Sequence, residues 1–337
     1  MPIKHNILLR ADGNNEIGLG HVYRCMAIAE RLKNHFNFYF AIQTPSVELK
    51  NSISEYSTCL ALPQTANYIH EALQLCSMIS NLRINIALLD GYFFNTDYQK
   101  IMKNCATKLI CIDDDQLFKY IADVVINHAE GIDEKKIDAN VETKKYIGFD
   151  YLLLRKKIID LSKIQKKIGR IKKLFVCFGG ADVSNITMKV ARALKNNNDI
   201  DEVNVIIGLA YLYKDQLSKL LYNDAKFKIY ENLDEDQMTQ MFTICDMAIV
   251  PASTISLEAF SANMILLTGI TADNQKNILH GLCKYSNVNC INDFNMVSEE
   301  EMRVEVSKII NTTKDITIQS PVSQSSDNLL NIFNSLL

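Results

Sequence analysis

One imidazole, a set of paired glycines and a scatter of acids and amides are the residues of this chain that could do chemistry. His21 stands in "EIGLGHVYRC", Glu16 to Cys25, directly after the run "NILLRAD". Gly18 and Gly20 remove side chains where backbone must approach something closely, and the loop delivers the ring to the start of a helix. An imidazole so placed suits general-base activation of water; the alternative is a structural histidine that satisfies a loop carbonyl. Asp12 either orients that ring and its loop or caps the turn. Tyr23 occupies the third glycine position of a dinucleotide fingerprint, and "FAIQT", about 20 residues on, offers no acid for a ribose, which excludes a nicotinamide site.

Similar turns recur further along. "FGGADVSN" follows the apolar run "LFVCF" and leads into a helix, but it lacks the GK[ST] ending of a P-loop and predicts no Mg-dependent nucleoside triphosphate site. Gly179 and Gly180 could still offer backbone N–H groups to a diphosphate, while Asp182, Ser184 and Asn185 are either ligand contacts or helix caps. In "VPASTISLEAF", Ser253 and Thr254 stand at a helix start where hydroxyls and free N–H groups suit phosphate. A carboxylate so close would repel phosphate, so Glu258 is read as a partner for ribose hydroxyls, against the alternative of a capping acid. Asn274 and Gln275 in "TADNQKN" are amides suited to a sugar and equally to a turn. The acids Asp113 to Asp115 could hold Mg or Mn through a DxD pair. Consecutive acids after a strand more simply start a turn, and no cluster at ligand spacing accompanies them, so no metal is expected.

Strand ends and helix starts must carry these residues, and the hydrophobic pattern provides both. Short β-rich runs alternate with amphipathic stretches: "NILLR", a helix from Val22, "NFYFAIQ", a helix near Tyr68 to Asn81, "NIALLD", a helix near Tyr98 to Cys105, "KLICID" and "DVVIN". In the first helix Val22, Met26, Ala29 and Leu32 form an apolar stripe, with Arg24, Glu30, Arg31 and Lys33 placed on the opposite, polar face. After a basic stretch from Gly148 to Lys173 the alternation resumes at "LFVCF" and runs through "VNVIIG", "FKIYE", "MAIVP" and "MILLTG". This predicts an α/β fold of two Rossmann-like, doubly wound domains, residues 1–154 and 155–320, with a terminal helix at 321–337 packing across the hinge. Ligands of such sheets bind beyond the carboxyl ends of the strands, where each glycine-led turn falls.

Composition narrows the function classes. With 337 residues, 48% hydrophobic and 22% charged, the chain has ordinary globular composition and room for two domains. A net charge of -3 and a pI near 6.1 offer no general attraction to nucleic acid or to an anionic membrane. The basic stretch from Arg155 to Lys173 reads as solvated surface. No segment approaches the roughly 20 apolar residues of a membrane span, and "MPIKHNILLRAD" lacks the apolar core of a signal peptide. Nine scattered cysteines without a CxxC pair read as reduced thiols of a cytoplasmic chain. No oligomeric state follows from the sequence, and no cofactor is implied.

Taken together, "RADGNNEIGLGHVYRC", "DGY" at Asp90 to Tyr92, "IDD" at Ile112 to Asp114, "GFDYLLLR" ending at Arg155, "FGGADVSN", "STISLEA" and "DNQ" resemble, over most of the chain, the UDP-2,4-diacetamido-2,4,6-trideoxy-β-L-altropyranose hydrolases of pseudaminic (nonulosonic) acid biosynthesis. That family is similar in architecture to the two-domain GT-B glycosyltransferases, including the enzyme that adds N-acetylglucosamine during peptidoglycan synthesis. The resemblance implies a cleft between two Rossmann-like domains, the nucleotide mainly on the C-terminal one, and metal-independent hydrolysis with inversion. By motif position it implies His21 as base, Tyr92 near the reacting sugar, and Arg155, Glu258 and Asn274 as substrate contacts. Gly20 and Gln275 complete the candidate substrate site. The sequence departs from the family at Pro251, where relatives carry a more glycine-rich turn, and "INHAEG" at Ile126 to Gly131 matches no family motif. The competing expectations are a GT-B glycosyltransferase that uses a UDP-sugar donor, and a non-catalytic UDP-sugar-binding protein.

Overall fold

The computed structural model describes residues 4–13, 18–105, 107–114 and 116–337, apart from the side chains of 323–326. Asp115 lies outside the described residues. The chain divides into two compact units, residues 1–156 with 324–337, and residues 157–323.

The first unit runs β1 (Asn6–Ala11), α1 (Gly20–Leu32), β2 (Asn37–Gln43), α2 (Val47–Ser54), β3 (Thr58–Leu62), α3 (Tyr68–Asn81), β4 (Ile84–Asp90), α4 (Thr96–Asn104), β5 (Lys108–Ile112), β6 (Val124–Asn127) and β7 (Lys144–Ile147). Its strands are all parallel, in the order β3-β2-β1-β4-β5-β6-β7. The order reverses between β1 and β4, whose last residues, Ala11 and Asp90, lie opposite each other. That is the switch point at which an open parallel sheet leaves a crevice.

Helices cover both faces, so the strands are buried on both sides and read as near-continuous apolar runs. Strand alternation sorts their side chains. Ile7 and Leu9 of β1, Ile86 and Leu88 of β4, Ile110 and Ile112 of β5, and Val124 and Ile126 of β6 pack on the α1 side with Val22, Cys25 and Ile28. Leu8, Ala87, Leu89, Leu109, Cys111 and Val125 pack on the other side, against α3 and α4.

The second unit contains most of α5 (Lys156–Ser162), then β8 (Lys166–Arg170), β9 (Lys173–Cys177), α6 (Ile186–Lys195), β10 (Glu202–Ile207), α7 (Lys214–Leu221), β11 (Phe227–Glu231), α8 (Glu235–Ile244), β12 (Met247–Pro251), α9 (Thr254–Ser261), β13 (Ile265–Ile270), α10 (Lys276–Leu282), β14 (Val288–Asp293), α11 (Glu299–Thr312) and β15 (Lys314–Ile318). Its main sheet, also parallel, has the order β11-β10-β9-β12-β13-β14, and β15 pairs antiparallel with β8.

Two expectations change. The terminal helix α12 (Ser325–Asn334) belongs to the first unit: Leu329, Ile332 and Phe333 are buried in the cluster around α1, with Phe333 5.7 Å from Phe36. Its apolar stripe packs in that core. The cysteines are not all scattered in space, because packing brings Cys76 and Cys105 to a Cα separation of 5.5 Å and Cys283 and Cys290 to 5.9 Å. Sequence separations of 29 and 7 residues do not announce either pair.

Candidate active site

His21 is the second residue of α1 and is 6% exposed. Its Nδ1 lies 2.7 Å from Asp90 Oδ1 at the end of β4. The alternation that buries Ile86 and Leu88 toward α1 turns Asp90 to the same side, directly under the helix start. Assigning the Nδ1 proton as donor to this carboxylate leaves Nε2 as the ring's acceptor, the tautomer a general base requires.

Arg24, three residues on and so on the same helix face, completes the arrangement. Its Nε and Nη2 donate to Asp90 at 3.0 and 2.6 Å, and its Nη1 and Nη2 donate to Asp114 at 2.7 Å each. Nη2 also lies 2.8 Å from His21 Nδ1, because both converge on Asp90 Oδ1. The expected place for Arg24 on the polar face is therefore wrong. The side chain is 6% exposed, and two carboxylates offset the cost of burying its charge. Burial works against the charged forms here. The Arg24 charge nevertheless holds the Asp114 carboxyl well below the usual carboxylate range, and the two acids raise Arg24 in turn.

The same parity explains which of the neighbouring acids take part. Asp114 follows Ile110 and Ile112 to the α1 side, whereas Asp113 follows Leu109 and Cys111 to the other. There Asp113 accepts from Gln116 N, the Tyr120 hydroxyl and Asn127 Nδ2 at 2.8, 2.8 and 2.9 Å, which is a structural role. His128 follows Val124 and Ile126 toward Arg24. It is 2% exposed, its Nδ1 has no hydrogen-bond partner, and burial together with the Arg24 charge pushes it down to about 4.

Asp12 does not orient His21. It shares the parity of Leu8 and Arg10 and is held by a bidentate pair to Arg10 at 2.6 and 2.7 Å and by Gln43 N at 2.9 Å. Arg10, fully buried, also grips Glu71 of α3 at 2.8 Å with two nitrogens, and Tyr98 and Gln43 donate to the same acid. This second network braces the opposite face of the sheet.

Tyr92 stands edge-on to the His21 ring, with centroids 4.7 Å apart. His21, Asp90, Tyr92, Asp114 and Phe118 line a cavity of about 10 Å³, room for one water-sized molecule. His21, Asp90 and Asp114 also place one ligand atom each within 4.8 Å of one another, a spacing a metal could use. Arg24 already donates to both carboxylates, and His21 donates to one, so the set as arranged does not fit a divalent cation. Gly20 opens α1 beside His21, and Arg155 is half-buried immediately before α5, outside this cavity's lining.

In the second unit the candidates gather at the ends of β9, β12 and β13. Gly179, at φ 84°, and Gly180 form the turn after β9, and a Cβ on either would meet open space. Gly208, after β10, was missed: a Cβ there would fall 2.4 Å from Gly180 O, so this glycine admits the turn. Asp182 spends both carboxylate oxygens on the N–H groups of Ile186 and Thr187, at 2.9 and 2.7 Å, and Asn185 Oδ1 accepts from Tyr211 at 2.6 Å. The α6 start therefore already holds an anion, and a diphosphate would find only the glycine turn. Ser253 N–H donates to Pro251 O at 2.8 Å, which corrects its expected role as a free backbone donor; its hydroxyl makes no cap bond. Thr254 opens α9. Glu258 is buried, and its charge helps raise the Cys177 thiol, after burial itself, to about 11. Asn274 is exposed, while Gln275 folds back to accept from Thr271 N at 2.7 Å, the turn role that the sequence also offered.

Comparison with known proteins adds relatives at two levels. No family model matches the chain. An uncharacterized protein of Methanocaldococcus jannaschii is 28% identical over 75% of this chain, which spans about half (53%) of that relative. The UDP-2,4-diacetamido-2,4,6-trideoxy-beta-L-altropyranose hydrolase of Campylobacter jejuni is 23% identical over 75% of this chain and 87% of its own. The spore coat polysaccharide biosynthesis protein SpsG of Bacillus subtilis is 25% identical over 73% and 71%. Among solved structures, MurG of Acinetobacter baumannii superposes with a TM-score of 0.66 at 11% identity, covering 99% of both chains. The UDP-GlcNAc 2-epimerase of Methanocaldococcus jannaschii gives 0.61 at 10%, covering 99% and 100%. The fold is that of the GT-B glycosyltransferases and these epimerases. Among the described residues no helix is long and apolar enough to cross a membrane.

Proposed function

We propose that this protein processes a UDP-sugar, and specifically that it hydrolyses a UDP-linked diacetamido-trideoxy sugar at the anomeric carbon, releasing UDP and the free sugar for nonulosonic acid biosynthesis. The observation that carries the reading is the His21 imidazole, held through Nδ1 by a buried carboxylate and facing a space the size of one water. The relatives that act in sugar biosynthesis support the substrate class.

His21 Nε2 takes a proton from water as that water attacks C1 on the face opposite the diphosphate. The C1–O bond to UDP breaks with its electron pair leaving on the phosphate oxygen, and the configuration inverts. UDP is a good leaving group, so one base suffices where ordinary glycosidases need two carboxylates. The acids nearest the ring support a single displacement. Asp90 and Asp114 are bound to Arg24, which makes both poor nucleophiles and argues against a covalent sugar intermediate. Tyr92 packs on the ring and borders the water space. In the second unit the Gly179–Gly180 backbone receives the diphosphate, with Ser253 and Thr254 as hydroxyl donors and Glu258 toward the ribose. Arg155 and Asn274 are further substrate contacts on this reading.

The test is incubation with UDP-2,4-diacetamido-2,4,6-trideoxyhexoses and no acceptor, following UDP release and the anomeric configuration of the sugar by NMR. Stoichiometric UDP with inverted sugar is expected. Release only after an acceptor alcohol is added would make the protein a transferase, and tight binding without turnover would make it a sensor.

A further inference from the structure

The His21 cavity has room for about one water-sized molecule, and two of its walls continue outward. Tyr92 and Phe118 also line an adjoining groove of about 620 Å³, within the range of small-molecule sites. The groove floor is aromatic. Tyr68 and Phe93 lie stacked, with centroids 4.6 Å apart and planes within 7°, and Phe93 is 39% exposed although it is fully apolar. Two asparagines line the same groove, and both are helix caps. Asn67 Oδ1 accepts from His70 N at 3.0 Å, and Asn95 Oδ1 accepts from Asp97 N and Tyr98 N at 3.1 and 3.0 Å. Capping consumes the acceptor end of each amide and leaves Nδ2, a donor, as its remaining polar group. Among the described residues the lining is thus flat aromatic and apolar surface with amide donors and contains no carboxylate.

From this we infer that the groove is a subsite for the acylamino substituents of the sugar: acyl methyl against the Tyr68–Phe93 stack, acyl carbonyl accepting from an asparagine Nδ2. The inference rests on the UDP-sugar reading and adds the element that selects within that class. A carbonyl beside a methyl matches a donor beside an aromatic face, whereas a protonated free amine in its place has no carbonyl to accept from the asparagine and no methyl to lay on the ring stack. Continuity through Tyr92 and Phe118 sets the acyl groups next to the water that attacks C1.

The test compares binding of UDP-2,4-diacetamido-2,4,6-trideoxyhexose with that of the same UDP-sugar bearing free amines, using the full chain and the variants Asn95→Asp and Phe93→Ala. Asp caps a helix as well as Asn does, so Asn95→Asp keeps the cap and exchanges the outward donor for a charged acceptor, and Phe93 is exposed enough to truncate without opening the core. In saturation-transfer NMR the acetamido methyl protons of the bound wild-type ligand are expected to receive strong saturation. Each variant is expected to lower the ratio of the two dissociation constants by about tenfold, with an unchanged thermal melt. Silent methyl signals beside saturated ribose and uracil signals, or an unchanged ratio in both variants, would overturn the subsite. Saturated methyls in a protein that releases no UDP would leave the subsite standing and remove the hydrolase; no binding of either UDP-sugar would remove both.

Discussion

Replacing Asp90 with Asn tests the proposed base through its partner. The carboxylate has two oxygens with different loads: Oδ1 receives His21 Nδ1 and Arg24 Nη2 at 2.7 and 2.6 Å, and Oδ2 receives Arg24 Nε at 3.0 Å. An asparagine keeps its oxygen at the doubly loaded position, so its NH₂ faces Arg24 Nε, donor against donor, and the bond to His21 becomes a neutral one. Losing a charge-assisted bond of about 1.5–3 kcal/mol in the step where the ring becomes cationic corresponds to a roughly 10- to 150-fold loss of turnover. His21→Ala removes the base itself and is expected to lose about 10²–10⁴-fold. Because ring and carboxylate act as one unit, the double variant should be no slower than His21→Ala within a few-fold. The assay is UDP release without acceptor at saturating UDP-sugar, on protein whose melt shows it folded. Turnover of Asp90→Asn within twofold of wild type, or multiplication of the two losses in the double variant, would refute the base–orienter assignment.

Three further outcomes follow from the same geometry. Arg24→Gln leaves the buried Asp90 and the half-buried Asp114 without their cation and is expected to destabilise the first unit by about 3 kcal/mol, at roughly 2–4 °C of melting temperature per kcal/mol; an unchanged melt would show that the cluster is not held by Arg24. His128 has a folded pKa near 4 against about 6.5 unfolded, so its contribution is full above pH 6.5. As pH falls toward 4 the unfolded chain binds a proton that the folded one refuses, and roughly 3 kcal/mol is lost. Denaturant titrations at pH 7 and 4.5 should show that slope, and His128→Phe should flatten it. Gly208→Ala drives a Cβ into Gly180 O, so an overpacking cost of about 1–3 kcal/mol is expected together with weaker UDP binding. Isothermal titration with UDP checks this, and unaltered affinity would separate the Gly179–Gly180 turn from the nucleotide.

The alternation of apolar strands and amphipathic helices was enough to specify two parallel α/β units, since a strand buried on both faces must be apolar along its length and each crossover must be a helix. It also placed the candidate residues at strand ends, because glycine-led turns and helix starts are legible locally: His21, Gly179 and Ser253 follow β1, β9 and β12. The polar edge strands "KKIGR" and "KDITI" were not legible, because their pairing is antiparallel and supplied by residues almost 150 positions away. Which acid serves His21 was likewise undecided by sequence. Asp12, Asp90, Asp113 and Asp114 are equivalent as strand-end carboxylates, and only the face that α1 covers selects Asp90 and Asp114 and assigns Asp12 to Arg10. The i, i+3 spacing of His21 and Arg24 hinted that they share a face. A charged residue on an amphipathic helix defaults to solvent, however, until tertiary packing brings it a counter-charge, and here β4 and β5 bring two.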